Sequence, residues 1–291
     1  MQLTLGPIQY FWPREQVFAF YRQAGQWPVD RIYLGETVCS KRRELRLEDW
    51  LVIAEALQDQ GKEVLLSSLT LIEARSEAGA LKSLCDSGLR IEANDYSAVA
   101  VAESRGLPFV GGSSLNLYNL PALDQLQQAG MVAWVPPLEM SQSHLAQILS
   151  ESPGLATELF AFGRMPLAWS ARCFAARAHD RPKDDCGFVC RESPDGLELQ
   201  TREDTDFLVI NGIQTQSHHC LDLAPWLDRI QNMGVSAVRL SPQSRNMAEI
   251  VQHWHTAIQR NQPVPTPRDW LAGPPADGYW HGEAGMLALE S

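Results

Sequence analysis

Short apolar runs alternate with longer amphipathic stretches over roughly the first 240 residues. No other feature constrains the fold as much, because strands that alternate with helices pair in parallel. QLTLGPIQYF reads as a first strand with a helix over REQVFAFYRQAG behind it. RIYLGE reads as a second, followed by a helix from Leu47 to about Gln60 with Leu51, Ala54, Glu55 and Gln58 at helical spacing. EVLLSSLT and IEAND supply strands three and four, and Gly61, Gly88 and Gly106 sit where helices close. PFVGGSSLNL, MVAWVPPL and LFAFGRMPLAW continue as strands five to seven. After the helix LAPWLDRIQNMG, SAVRLSP supplies an eighth. Eight such repeats in about 250 residues are the allotment of a (β/α)8 barrel. The expected fold is therefore α/β and TIM-barrel-like, with a barrel domain over residues 1–260 and an extended C-terminal segment over 261–291, packed on the barrel or mobile beside it.

The regularity breaks after strand seven. Residues from Cys173 to about Asp206 are polar, charged and turn-rich (RPKDDCGF, SPDG), which reads as an insertion, and DFLVINGIQ supplies a strand within or after it. The insertion carries Cys173, Cys186 and Cys190, spaced Cys-x12-Cys-x3-Cys, with Cys220 following and Cys39 far upstream. Three soft thiolates at short range and a fourth from elsewhere suit an iron-sulfur cluster or a zinc ion, against the alternative of ordinary buried thiols. In a parallel barrel the loops after strands two and seven open on one mouth, so Cys39 and Cys173 can reach a common centre and the insertion can carry Cys186 and Cys190 there. Cluster binding would then order part of the polar insertion.

A chain of 291 residues, 45% hydrophobic, can bury a sizeable core. It shows no signal sequence and no apolar run long enough to span a membrane, so a cytoplasmic location is expected, and six cysteines there read as thiols or ligands rather than a disulfide framework. The formal charge of −11 opposes general attraction to nucleic acid or anionic membrane. Lys41, Arg42, Arg43 and Arg46 make a local basic run that reads as a solvated helix start and that would also favour the thiolate of Cys39.

Polar residues fall at many expected strand ends, among them Gln9, Ser67, Ser68, Asn94, Asp95, Asn116, Asn119, Asn211, Gln214, Arg239 and Ser241, where capping and turn chemistry are the plain explanation. Glu36, three residues before Cys39, and Arg164, just ahead of the cysteine segment, rank highest as ligand-binding groups. His218 and His219 are adjacent on a strand and point to opposite faces, so they do not read as a metal pair. Cys85 reads as a core thiol among Leu81, Leu84 and Leu89. VGGSSLN lacks both a GxGxxG fingerprint and a P-loop lysine, and neither a GxSxG elbow nor an HExxH zinc motif occurs, so a conventional hydrolase has no support.

From Glu158 to Cys173, ELFAFGRMPLAWSARC resembles the signature of the collagenase-like peptidase family. Glu158, Phe160, Gly163, Met165 and Cys173 fit it, whereas Arg164, Pro166 and Ala171 replace a small residue, a cysteine and a glycine. NGIQTQSHHCLDL and GYWHGEAG also look like segments of that family, so the resemblance runs over most of the chain. Loss of the signature cysteine at Pro166, together with Cys39 and the Cys186 and Cys190 pair, is similar to family members of oxygen-independent ubiquinone biosynthesis. That likeness implies a [4Fe-4S] cluster on Cys39, Cys173, Cys186 and Cys190, with Cys220 in a structural or supporting role. It also implies a heterodimer with a UbiU-like protein, a UbiT-like lipid-binding partner, and hydroxylation of the ring of a ubiquinone precursor. A non-catalytic scaffold with a structural cluster, and an RNA-hydroxylation protein, are the alternatives, and peptidase activity is not expected.

Overall fold

The computed structural model describes residues 1–289; Glu290 and Ser291, the end of the expected C-terminal segment, lie outside the described residues. In chain order β1 (Gln2–Leu5) leads to α1 (Arg14–Ala24), β2 (Arg31–Leu34) to α2 (Leu47–Gln58), and β3 (Glu63–Ser67) to α3 (Arg75–Cys85). β4 (Arg90–Ala93) follows with α4 (Tyr96–Ser104), β5 (Phe109–Gly111) with α5 (Leu120–Gln128), and β6 (Met131–Trp134) with α6 (Gln142–Glu151). A longer passage then holds β7 (Glu158–Trp169), α7 (Phe174–Ala178), β8 (Leu197–Gln200), β9 (Asp206–Asn211), β10 (Gln214–Asp222) and α8 (Leu227–Asn232). β11 (Ala237–Leu240), α9 (Met247–Arg260), β12 (Pro275–Ala276) and α10 (Gly278–His281) complete the described chain.

The expected parallel wall is present. Its strands run β6-β5-β4-β3-β2-β1-β11-β7, so β11 is the eighth repeat read from SAVRLSP. A parallel bridge between Trp134 and Thr157 joins the two ends, with the Trp134 N–H donating to the Ala156 carbonyl at 2.9 Å. Both faces of these strands are buried: Leu3 and Leu5 join the layer beneath the helices, while Tyr33, Leu65, Val110, Ala133 and Val135 form a separate cluster within the barrel. Helices end where glycine supplies a left-handed residue, as at Gly61 (φ +79°) and Gly88 (φ +83°).

β7 is 12 residues long and serves two neighbours. Its first part pairs with β11 in the barrel, and from Phe162 onward it pairs antiparallel with β10, which in turn pairs with β9 and β9 with β8. This excursion brings the cysteine segment back over the C-terminal ends of the barrel strands. The C-terminal segment is strapped to it: β12 pairs with β10 at Cys220 and Pro275, and Asp222 accepts from the Thr266 N–H (2.9 Å) and hydroxyl (3.0 Å). Among the described residues no helix is long and apolar enough to cross a membrane.

Candidate functional site

Cys39 lies in the loop after β2, Cys173 at the start of α7, and Cys186 and Cys190 in the turns that follow, all four half-buried. The Cys39 loop is shaped by Glu36, whose carboxylate accepts the backbone N–H groups of Val38 (2.8 Å) and Cys39 (3.0 Å). Burial pushes that carboxyl above its ordinary value, against the pull of Arg42. Lys41 joins this loop to the one ahead of Cys186 by donating to the Lys183 carbonyl (2.9 Å) and pairing with Asp184 (2.6 Å). Glu36 thus acts on the site through the backbone, where the sequence suggested a ligand-binding role.

Arg42 is the hub. Its guanidinium, almost fully buried, donates to the Gln9 carbonyl and to Asn211 Oδ1, both at 2.7 Å, and its charge acts on the Cys190 thiol. Gly212 is left-handed (φ +68°) and passes so close that a Cβ there would lie 2.8 Å from Arg42 Nη2. The sequence read this arginine as part of a solvated helix start; what draws it inward is the set of acceptors on β9 and after β1, invisible in a linear run of basic residues.

Cys186 and Cys190 are joined by a strained turn. Gly187 (φ +58°) and Phe188 (φ +55°) are both left-handed, and for a bulky side chain that conformation carries a conformational cost. Phe188 packs against Phe11 with the rings tilted by 51° and their centroids 5.6 Å apart, and Arg191 lies over the Phe11 ring. Burial pushes the Cys190 thiol up, while Arg42 pulls it down and the neighbouring Cys173 and Cys186 sulfurs add to the rise. Burial likewise raises Cys39, which the Lys41 N–H and Arg42 lower and Cys173 raises further. The four sulfurs therefore share one electrostatic neighbourhood. Cys173 Sγ also accepts the Ala176 N–H at 3.4 Å.

Among the described residues, no three His, Cys, Asp or Glu side chains converge tightly enough to hold a single metal ion. A zinc ion needs its thiolates at about 2.3 Å from one centre, so a ready-made mononuclear site is not formed. A four-iron cluster takes one thiolate per iron and needs no common centre. Four half-buried sulfurs from three segments, with the Ala176 N–H donating to Cys173 and the Arg42 charge acting on Cys39 and Cys190, are the residues that would hold that wider group.

The other cysteines stand apart. Cys85 is buried in the layer beneath the helices, as its leucine neighbours suggested. Cys220 is fully buried on β10; burial pushes it up to about 11 against Arg164 and the backbone N–H groups of Ala272 and Gly273. Arg164, the other residue ranked for ligand binding, is spent on structure: it donates to the carbonyls of Asp195 (2.7 Å) and Ala272 (2.8 Å) and pairs with Glu198 (2.9 Å). Asp95 and Asn119 are helix N-caps, and Ser67 donates to Glu92 at 2.6 Å.

Beside the cysteines the barrel mouth holds a cavity of about 40 Å³, with Gln9, Thr37, Asn94, Trp169 and Gln214 around it and Arg239 at its base. Arg239 Nε donates to Glu158 (2.6 Å), and a second nitrogen pairs with Glu92, while Tyr33 (2.6 Å), Thr4 (2.7 Å) and Arg31 (2.9 Å) complete the shell of Glu158. Arg239 Nη2 is buried with no partner in the protein. The sequence marked Arg239 only as one polar strand end among many; the acids that meet it lie 81 and 147 residues away, and only barrel closure reveals them.

The sequence family described as peptidase family U32 matches residues 18–266. Among solved structures, dihydropteroate synthase from Anaplasma phagocytophilum is 9% identical with a TM-score of 0.45, covering 89% of this chain and 99% of its own. The enzyme from Thermus thermophilus is 14% identical with a TM-score of 0.43, covering 88% and 94%. That from Xanthomonas albilineans is 9% identical with a TM-score of 0.40, covering 91% and 94%. Likeness this distant says nothing of activity.

Proposed function

The chain belongs to peptidase family U32, and on that premise we propose that it is a UbiV-type member: the iron-sulfur subunit of an oxygen-independent hydroxylation system acting on the ring of a ubiquinone precursor. In this reading Cys39, Cys173, Cys186 and Cys190 hold a [4Fe-4S] cluster, a UbiU-like protein is the heterodimeric partner, and a UbiT-like protein supplies the lipid substrate. The observation that carries it is the tie between the Cys39 turn and the cysteine insertion: Lys41 donates to the Lys183 carbonyl and pairs with Asp184, Arg42 reaches Asn211, and Cys39, Cys173, Cys186 and Cys190 are all half-buried whereas Cys85 and Cys220 are buried.

When bound, such a cluster supplies one-electron transfer. The chain's own part is electrostatic and positional. Arg42 favours the thiolate forms of Cys39 and Cys190, and the Lys41 N–H that of Cys39, against the cost of burial. Glu36 fixes the turn that presents Cys39, and Arg42 ties that turn to Gln9 and Asn211 at the barrel mouth. The mouth cavity has room for a water or one substituent of a ring rather than a whole ring, and Gln9, Asn94, Gln214 and Arg239 are among the polar residues that line it.

Anaerobic co-expression with a UbiU-like partner tests the reading. The purified pair should be brown, with about four iron and four sulfide in this chain. Cys39→Ala should lose that iron and Cys220→Ala should keep it. A colourless, iron-free chain from maturation-competent cells, or equal loss in both variants, overturns the assignment. If Cys39→Ala loses its iron yet still pairs and supports quinone synthesis, the cluster is structural and the scaffold reading replaces electron transfer.

A further inference from the structure

α2 packs against α1 and α3 against α4, and between the two pairs lies a cleft of about 630 Å³ with β3 behind it. That volume is within the roughly 300–1,000 Å³ of small-molecule sites and far exceeds the mouth cavity. Leu45, Leu47 and Trp50 line one wall and Ile72, Leu81 and Leu84 the other. Apolar walls facing an empty gap lack partner atoms and stay in contact with water, both unfavourable until an apolar occupant enters.

Its rim is cationic. Arg42, Arg43 and Arg46 all line the cleft. Arg42 is already spent on Gln9 and Asn211, but Arg43 gives only a weak 3.3 Å bond to the Ser40 carbonyl, and neither Arg43 nor Arg46 forms an ion pair among the described residues. Two carboxylates also line the cleft, and both are engaged. Glu36 holds the Cys39 turn, and Glu77 accepts the backbone N–H groups of Glu73 (2.6 Å) and Ala74 (2.9 Å) ahead of α3. The uncommitted charge at the opening is therefore positive, in a chain of net charge −11.

We infer that this cleft binds a long-chain carboxylate, with the chain between α2 and α3 and the head group at Arg43 and Arg46. An apolar slot with two free guanidiniums at its lip matches one anion on an apolar tail; a neutral lipid would leave the arginines unused, and a small anion would leave the leucines wet. No cysteine lines the cleft, which adjoins the Cys39 turn through Glu36, Ser40 and Arg42.

Calorimetric titration of the anaerobically purified full chain with decanoate and with decan-1-ol tests this, with iron measured on the same sample so that the two readings fail separately. Decanoate should bind saturably at one site, at least tenfold tighter than decanol. The double variant Arg43→Ala/Arg46→Ala should erase that preference and leave decanol binding unchanged. Ala80→Trp, a substitution of an exposed residue on the α3 wall, should weaken both ligands at least tenfold. Absence of saturable decanoate binding, equal affinity for decanol in the natural chain, or unchanged binding in a folded Ala80→Trp variant overturns the inference.

Discussion

Glu158 shows how much one buried residue can organise. Burial pushes its carboxyl up, but Arg239 and the hydrogen bonds from Tyr33 and Thr4 outweigh that and hold it below the usual carboxylate range. A depressed carboxyl adds stability above its unfolded-chain value of about 4.3 and loses it as pH falls through the lower folded value. Glu158→Gln should therefore cost about 3–5 kcal/mol at pH 7 by urea unfolding, since it strips a buried guanidinium of a counter-charge. The variant's stability should also fall less than that of the natural chain as pH drops below about 4.3; a parallel acid limb would show that other groups govern it. Very little of this was legible in the sequence. A Glu opening a strand and an Arg near the end of another each look like ordinary edge polarity, and their partnership exists only once strands distant in sequence close on one axis.

At the scale of elements, the strands that were readable are those whose pattern is dictated by burial on both sides. LTL, IYL and VLLS are buried along their whole length because helices cover one face and the barrel interior the other. β8 and β12 left no such trace: LELQ is largely exposed, and β12 is two residues held by pairing with β10. That the loop after β2 meets the segment after β7 was readable from topology, whereas the inward turn of Arg42 was not, because its acceptors Gln9 and Asn211 come from opposite ends of the sequence. Arg164 fastens that excursion to the C-terminal segment through Asp195, Glu198 and Ala272. Arg164→Met should leave the barrel folded and release the hairpin, giving faster proteolysis between about Asp195 and Asp206 in a timed digest read by mass spectrometry. Cleavage unchanged from the natural chain would show that strand pairing alone retains it.

For the whole molecule, the weakest seam lies where β6 meets β7. Other neighbours in the wall pair at two or more positions, but here a single bridge at Trp134 and Thr157 closes the circle. Opening of the barrel should begin there, so the amide of Trp134 should exchange with deuterium faster than those of Ile32 to Leu34 in β2 under native conditions. Uniform protection around the wall would place the first opening elsewhere. The 12-residue β7 on the other side of that seam has a consequence of its own. Its early residues set the barrel interior and its late ones lead directly into Cys173, with left-handed Gly163 near the crossover. The pairing of that stretch with β10 slips twice, between Thr215 and Gln216 and between Gln216 and Cys220. Bulges of this kind bend a strand and re-aim its side chains without ending it, so the path from the interior ion network to the cysteines is set by where the strand slips, and removing a slip would re-aim Cys173 while leaving the paired residues of the barrel in place.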